Sequence, residues 1–294
     1  MKNKLINQDP SLPSAPNFKG IQATKNQTFR RILNNVIEKE ASPVNQQRMK
    51  EKTLKGTSHW MNALPMKVMG QYLNKSEYQD AMRMRFGIKP ENIPDFCACR
   101  KPFTVTHSQV CPKGGYIIMR HDKIKNYLFK KVSQIYKDTQ IEPKLHPVGE
   151  ENLAVGTDLT EGARSDIRIR GMHREFQNTF IDVKVTNVCA DTYAHQSPNE
   201  TLKKSEETKE RKYKDRIQKV ENGIFIPAIF SCNGARAPQT KILLAKIITK
   251  ISLKKKEPRY IIANRMATQL SFMFVKQSLI CLRGNRNPLN AELL

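Results

Sequence analysis

Two short segments in which apolar and polar residues alternate set the strongest limit on the fold of this chain. They lie between Arg164 and Asn187, in the run RSDIRIRGMHREFQNTFIDVKVTN, and a short polar connection joins them. Such alternation is typical of β-strands, in which side chains two residues apart share one face of a sheet. The pattern therefore predicts a hairpin with one apolar face against a core.

Three charged side chains belong to this predicted hairpin. Asp182 and Lys184 lie two residues apart and share a face, while Ile181 and the valines that follow it point into the core. In a hairpin, Asp166 at the start of the first strand can face Asp182 near the end of the second. Two carboxylates and one ammonium would then meet at a sheet edge.

This combination of groups is suited to metal-dependent hydrolysis of phosphodiesters. Carboxylate oxygens are ligands for Mg²⁺, which also keeps water and substrate phosphate in its shell, and an adjacent lysine can orient or activate the attacking water. We therefore interpret Asp166 and Asp182 as ligands of Mg²⁺ or Mn²⁺ and Lys184 as the group that assists the water. An Asp-x-Lys triplet also arises by chance on solvated strands, and Asp182 with Lys184 alone favours that explanation.

The charge of the chain indicates a polyanionic partner. Lysine and arginine number 51 against 27 acidic residues, which gives a formal charge of +24 and an isoelectric point of about 9.9. Nucleic acid is the most common partner of so basic a protein. A structural RNA-binding or ribosome-associated protein would show the same balance, so charge does not by itself indicate an enzyme.

Targeting signals and cysteine usage favour an intracellular protein. The first 20 residues lack the apolar core of a signal peptide. The longest apolar stretch, Ile261–Leu282, is interrupted by charged and amide side chains, so it predicts a buried helix and no membrane partner. The six cysteines are unevenly placed, unlike a secreted disulfide framework.

Composition and patterning divide the chain into five expected regions. These are a basic, largely disordered segment (1–56), a helical segment (57–96), a zinc knuckle (97–115), an α/β domain (116–286) and a tail (287–294). The α/β domain is expected to have a small mixed sheet flanked by helices. The expected helices are Phe29–Glu40, a helix capped by Ser76 and stopped at Gly87, Asp122–Lys137, Glu200–Glu221, Pro238–Ser252 and Arg259–Leu282. A further buried strand is expected over Gly223–Phe230, where Pro227 indicates an edge or a bulge.

A compact group of metal-binding residue types precedes the hairpin. Cys97, Cys99, His107 and Cys111 lie within fifteen residues, in a polar stretch that Gly114-Gly115 follows. Three thiolates and one imidazole are a plausible tetrahedral Zn²⁺ site. An accidental grouping is the alternative, because Cys97-x-Cys99 is tighter than the usual C-x₂-C spacing. The other cysteines, Cys189, Cys232 and Cys281, are of the isolated, apolar type that is typically buried.

The order of these motifs resembles one known region. It is the C-terminal part of non-LTR retrotransposon reverse transcriptase polyproteins, which carries a zinc knuckle and a restriction-like endonuclease of the PD-(D/E)xK superfamily. The resemblance covers roughly residues 57 to 286, and the ordered series is more specific than any single motif. The matching elements are Asn62-Ala-Leu-Pro65, C-x-C…H-x₃-C, Gly114-Gly115, Arg120-His121-Asp122, Gly162-Ala-Arg-x-Asp166-Ile, Ile181-Asp-Val-Lys184-Val-Thr, Lys209-Glu-Arg-Lys-Tyr213, Pro227…Ser231…Gly234 and Cys281-Leu-Arg-Gly284.

The resemblance implies a restriction-endonuclease-like core and a metal-dependent endonuclease that nicks target DNA to prime reverse transcription. Asp166 and Asp182 would hold the divalent metal, and Lys184 would act on the water or the developing charge. His121 and Asp122 match a further catalytic element at the opening of the first core helix. Arg120 and a basic helix carrying Lys209, Lys212 and Tyr213 would contact nucleic acid.

Two departures from the family pattern bear on these implications. Ser165 stands where the superfamily has proline, and no aromatic-x-Asp-Asp polymerase motif is present in the 294 residues. The chain is thus expected to be a fragment, a decayed copy or a standalone derivative, with any reverse transcriptase supplied elsewhere in the full-length element. Nuclear localisation, retroelement RNA as a second partner and a homodimer are further expectations of the resemblance.

Three functional hypotheses remain open at this point. The first is a Mg²⁺-dependent DNA endonuclease with a structural Zn²⁺. The second is a catalytically inactive, retroelement-derived protein that binds nucleic acid through the same fold. The third is a basic structural protein in which the Asp-x-Lys arrangement is coincidental. Some side chains also have a purely structural explanation. His121 would then end a helix, Tyr213 would belong to the core and Trp60 would pack against a neighbouring helix.

Overall fold

The computed structural model describes residues 42–149 and 151–284, and the residues from Pro43 onward belong to one compact unit. Within the described ranges there are eight α-helices and four β-strands. The helices are α1 (Pro43–Lys52), α2 (His59–Asn62), α3 (Lys75–Phe86), α4 (Val105–Ser108), α5 (Tyr116–Ser133), α6 (Pro198–Lys219), α7 (Pro238–Lys255) and α8 (Arg259–Gly284). The strands are β1 (Thr139–Ile141), β2 (Ile167–Arg170), β3 (Asn178–Thr186) and β4 (Ile224–Ser231).

The strands form a four-stranded mixed sheet in the order β1-β2-β3-β4. The first two pairings are antiparallel and β3 pairs with β4 in parallel, through a crossover that contains α6. The predicted α/β class, with a small mixed sheet flanked by helices, is confirmed. Pro227, which has no N–H to donate, lies on β4 at the edge of this sheet, as expected from its chemistry.

Helices cover both faces of the sheet, and each face has its own apolar cluster. Leu128 of α5, Leu244 of α7 and Leu270 of α8 are among the residues that pack on one face against Ile181 and Val183. On the opposite face, α6 packs over β4, burying Ile217 beside neighbouring strand residues. Because side chains alternate along β3, the residue between Ile181 and Val183 must point toward the α6 side.

The long helix α8 also organises the segments upstream of the sheet. Trp60 and Ala81 pack against Phe272 and Leu279 of α8, and the cysteine segment packs against Leu282 near its end. The packing alternative for Trp60 is thereby supported. The segments that were expected to be separate regions share this helix as a common packing surface.

The folded unit begins earlier than the expected boundary at residue 56. Helix α1 lies inside the stretch expected to be largely disordered, yet Glu51 is only 2 % exposed. Its carboxylate accepts from Asn233 Nδ2 at 2.7 Å, and Gln47 donates to the backbone oxygens of Tyr193 and Gln196. The sequence pattern did not predict α1 because the helix is polar and is anchored mainly by hydrogen bonds, which leave no apolar periodicity. The predicted helix Phe29–Glu40 and the tail 287–294 lie outside the described residues.

Three local expectations need adjustment. The helix that ends at Gly87 is capped by Asn74, whose side chain accepts from the Glu77 N–H, and not by Ser76. Helix α5 begins at Tyr116, six residues before the predicted start, because Gly115 supplies a left-handed N-cap with φ 71°. Strand β1 was not predicted at all. No helix in the described ranges is long and apolar enough to cross a membrane.

Candidate active site and metal centre

The strand register brings the two predicted acidic residues together. Ile167 pairs with Ile181 across the antiparallel β2–β3 ladder, so the next pair outward is Asp166 and Asp182. Both side chains line one open groove on the α6 side of the sheet, together with Lys184. The sequence prediction that these three residues share a location therefore agrees with the structure.

Asp166 is held in place by the backbone of the neighbouring strand. Its Oδ2 accepts a 2.6 Å hydrogen bond from the N–H of Val183, which lies just past the last paired residue of β2. The Asp166 carboxylate thus accepts from a backbone N–H that would pair with β2 if that strand were longer. The short length of β2 therefore fixes the direction of the acidic side chain.

His121 connects helix α5 to the acidic pair. Its Nε2 lies 3.2 Å from Asp166 Oδ2 and 3.1 Å from the carbonyl oxygen of Val183, and its Nδ1 lies 3.3 Å from Asp122 Oδ1. Both ring nitrogens therefore face acceptors, an arrangement that favours the protonated imidazolium. The pKa of His121 is raised, mainly by the hydrogen bond to Asp166. His121 therefore contacts two carboxylates, which a residue that only ends a helix would not do.

Asp122 acts on the site through other side chains. Lys125 Nζ donates to its Oδ1 at 2.8 Å and also pairs with Glu142, and the Lys125 hydrogen bond is the main reason that the pKa of Asp122 is lowered. Asp122 does not line the groove. Its contact with the His121 ring orients that ring, so its predicted catalytic role becomes one of positioning.

Asp182 is an acidic side chain buried at an energetic cost. It is 7 % exposed, and burial is the main cause that raises the pKa of its carboxyl, with a further contribution from the charge of Asp166. Lys209 Nζ of α6 lies 2.7 Å from Asp182 Oδ2. This close ion pair departs from ideal hydrogen-bond geometry, and the Lys209 charge offsets part of the cost of burying the carboxylate. The Asp182 side chain lines the groove.

Lys184 is half-buried beside these carboxylates. Burial is the main cause that lowers the pKa of its ammonium, and the positive charge of Lys209 lowers it further. Within the described parts of the chain, no hydrogen bond or ion pair engages its Nζ. An amine that is easier to deprotonate and has no structural partner is available to act on a molecule in the groove.

Arg120, which was predicted to contact nucleic acid, lines the groove but is almost fully buried. It is 3 % exposed, and its guanidinium donates to the Gln109 side chain and to the Gln109 backbone oxygen, both at 2.9 Å. Gln109 in turn donates to the backbone oxygen of Ser278 on α8. With its terminal nitrogens engaged internally, Arg120 holds α5 to the cysteine segment and to α8.

The basic helix α6 contributes one side chain to the groove. Lys209 lines it, whereas Lys212 pairs with Asp158 at 3.2 Å and Tyr213 packs at 5.7 Å from the ring of Phe225. The core alternative for Tyr213 is therefore supported. The ammonium groups of Lys209 and Lys212 lie 5.2 and 5.1 Å from the centre of the Tyr213 ring. These cation–π contacts help to position both lysines.

One contributor to the site, Lys125, was missed at the level of sequence, and the contact of another, Lys209, was not foreseen. Lys125 lies four residues after His121 and therefore on the same face of α5, a spacing that could have indicated its role. Lys209 was predicted as a nucleic-acid contact, but its ion pair with Asp182 could not be predicted because the two residues are on different elements. That pair depends on how α6 crosses the sheet.

The four predicted zinc ligands come together in the structure. The ligand atoms of Cys97, Cys99, His107 and Cys111 all lie within 4.8 Å of one another. Cys97 Sγ is 3.7 Å from Cys111 Sγ, and Cys99 Sγ is 3.3 Å from His107 Nε2. Tetrahedral zinc, with bonds of about 2.3 Å to sulfur and about 2.0 Å to nitrogen, needs edges of about 3.8 and about 3.5 Å. This cluster could hold a metal ion such as zinc.

Local structure explains how so tight a cysteine pair can share one site. The Thr104 side chain caps the short helix α4, which presents His107, and Gly114 and Gly115 both adopt positive φ, of 83° and 71°, where the chain turns into α5. Without metal, burial raises the pKa of the Cys111 thiol to about 11. Metal binding must therefore release thiol protons.

No protein-family model matches this chain, and no curated protein matches it either. The functional interpretation consequently depends on the geometry of the groove and of the cysteine cluster.

We expect the purified chain to contain about one zinc ion, because three thiolates and one imidazole at these distances form a closed tetrahedral set. Cys111→Ser should lower the zinc content and the midpoint of thermal unfolding. Cys189→Ser, at a buried cysteine outside the cluster, should leave the zinc content unchanged. Elemental analysis of both variants makes the measurement, and a folded, zinc-free wild-type protein would remove the assignment.

Asp182→Asn should raise the midpoint of thermal unfolding at pH 7. A carboxyl whose pKa is higher in the folded state stabilises the fold only below its ordinary pKa, and that contribution is lost as pH rises through the raised value. The neutral amide removes the buried charge, so the gain should shrink as pH falls toward the ordinary aspartate range.

The matched control is Asp138→Asn, which removes a half-exposed partner of Arg168 and should give no gain. A clear loss of stability in Asp182→Asn would mean that Asp182 is a structural partner of Lys209 and not a functional group held at a cost.

Proposed function

We propose that this protein is a metal-dependent endonuclease that hydrolyses DNA phosphodiester bonds, of the retrotransposon target-nicking kind that the motif order resembles. The observation that carries the proposal is the meeting of Asp166, Asp182 and Lys184 in one groove of a strongly basic protein. The group includes the Lys184 ammonium, which no hydrogen bond or ion pair from the described residues engages, and the Asp182 carboxyl, whose pKa is raised by burial in spite of its ion pair with Lys209.

The donor set fits a hard divalent cation. Asp166 and Asp182 supply carboxylate oxygens from adjacent strands, and Asp182 Oδ2 meets the Lys209 ammonium, a cation that a metal ion can replace. We infer that these two residues hold Mg²⁺ or Mn²⁺. When bound there, such an ion supplies Lewis acidity toward a phosphodiester oxygen and acidifies a coordinated water.

The remaining side chains have separable tasks in this proposal. Lys184, with its lowered pKa, holds or deprotonates the attacking water or stabilises charge that develops on the phosphate. His121 orients the Asp166 carboxylate by its 3.2 Å contact. Lys209 neutralises Asp182 before the metal arrives, and its ammonium then becomes available to a phosphate of the substrate.

The cysteine cluster has a structural task in the proposal. Zinc held by Cys97, Cys99, His107 and Cys111 would fix the turn from which α5 begins, and α5 carries His121. Asn187, at the end of β3, donates to the backbone oxygen of Thr106 inside the same segment. The knuckle is thereby linked to both elements that present the acidic groove.

The test is nicking of supercoiled plasmid DNA by the full-length protein with Mg²⁺ or Mn²⁺. Asp166→Ala, Asp182→Ala and Lys184→Ala should each lower the rate by about 10²-fold or more, because each removes a group that acts on the reacting atoms. The matched controls are Asp191→Ala and Lys214→Ala, which are exposed residues outside the groove and should retain the wild-type rate.

Binding of the same DNA, measured in parallel, separates the hypotheses. Nicking that survives all three substitutions would refute the assigned site. Absence of cleavage with either metal, together with retained binding, would favour the catalytically inactive nucleic-acid-binding protein. The ion pair between Lys209 and Asp182 is the observation that suits this second function, since a neutralised carboxylate is stable without metal.

A further inference from the structure

A second basic pocket lies between α7 and the beginning of α8, and it shares no lining residue with the acidic groove. Its polar lining consists of four cationic side chains and one tyrosine, and no acidic residue lines it. These residues are Lys55, Arg236, Lys241, Arg259 and Tyr260. Aliphatic side chains of α7, including Leu244 and Ile248, form the floor. The pocket therefore combines positively charged side chains with an apolar floor.

Arg236 is the central observation. Its Nε is buried and finds no hydrogen-bond acceptor among the described residues, and burial is the main cause that lowers the pKa of its guanidinium. The backbone of Arg236 is fixed by a bridge to Phe230 on β4. A β-carbon at Gly56 would lie 3.2 Å from Arg236 Nε, so the glycine leaves room for the guanidinium. Because Nε is enclosed, a ligand in the pocket would meet the terminal nitrogens of the guanidinium, which form no hydrogen bond with the described residues.

The surrounding cations are also available. Lys55, Lys241 and Arg259 are exposed, and no ion pair is recorded for them within the described ranges. Glu257, the acidic residue nearest in sequence to Arg259, pairs instead with Arg265 at 3.0 Å. Glu206 balances part of the charge of Lys241, but no carboxylate lines the pocket, so the four gathered cations create a positive field that favours an anion.

Tyr260 adds a different kind of contact at the rim. It is 68 % exposed, although it lies next to the basic side chains of the pocket. An exposed aromatic ring beside cations is the arrangement that binds single-stranded nucleic acid, since bases stack on the ring while phosphates meet the cations.

We propose that this pocket binds a phosphate of a single nucleic-acid strand, with an adjacent base stacked on Tyr260, at a place separate from the acidic groove. Arg236 and Lys241 contact the phosphate, and Arg259 follows the backbone. The proposal rests on the nucleic-acid partner of the proposed function and not on cleavage. A chain with two such contact sites would hold a displaced strand while the other strand lies in the groove.

The experiment measures binding of a fluorescent single-stranded oligonucleotide to the full-length protein over a range of salt concentrations, without divalent metal. Lys241→Ala combined with Arg259→Ala should make the slope of log K against log salt shallower by about 1.4, at about 0.7 per lost phosphate contact. Tyr260→Ala should weaken binding by about tenfold, and Tyr260→Phe should restore it.

The matched control is Lys144→Ala combined with Arg174→Ala, which removes the same charge from exposed positions outside the pocket. Circular dichroism verifies that each variant is folded. A salt slope for the pocket variant equal to that of the control would overturn the proposal. So would a pocket variant that no longer binds inorganic phosphate but binds the oligonucleotide as tightly as the wild type.

Failure of this proposal is distinguishable from failure of the proposed function. Asp182→Ala should lower the nicking rate by about 10²-fold or more and should not make the salt slope shallower, because it removes no cation and frees the Lys209 ammonium. The pocket variant should make the slope shallower and retain nicking. If the oligonucleotide binds normally and the pocket variant behaves as the control does, the pocket proposal alone is refuted.

Discussion

The register of the β2–β3 ladder is the constraint on which the candidate site depends. Pairing of Ile167 with Ile181 buries both isoleucines on the core face, and it necessarily brings Asp166 opposite Asp182 on the other side. A slip of one residue would expose the isoleucines and bury the carboxylates in the apolar core, so hydrophobic burial stabilises the functional arrangement. Burial of the apolar face of these two strands therefore offsets the cost of burying the Asp182 carboxylate.

Helices α5 and α8 connect the cysteine cluster to the β2–β3 ladder. The cluster packs on Leu282 of α8, and Arg120 joins α5 to the same region through Gln109. The first turns of α5 then present His121 to Asp166. The cysteine cluster and the acidic groove are thus linked through α5 by apolar packing and by separate hydrogen bonds of Arg120 and His121.

The sequence predicted the elements whose signals are local. Alternation predicted β2 and β3, the apolar run predicted the buried strand β4, and the grouping of Cys97, Cys99, His107 and Cys111 predicted their spatial meeting. Features that depend on tertiary packing escaped it. Helix α1 is polar and anchored by hydrogen bonds, and β1 has three residues, too few for a periodic pattern. Arg120 reads as a surface cation in sequence, yet Gln109 and α8 enclose it, and no local pattern reports such enclosure.

The most direct measurement is a crystal structure of the zinc-loaded protein soaked in Mn²⁺, with anomalous scattering used to locate manganese. The account predicts a manganese peak bonded to carboxylate oxygens of Asp166 and Asp182, with the Lys209 ammonium displaced from Asp182, and loss of that peak in Asp182→Ala. Manganese absent from the groove, with Lys209 still paired to Asp182 at a Mn²⁺ concentration that saturates ordinary magnesium enzymes, would contradict it.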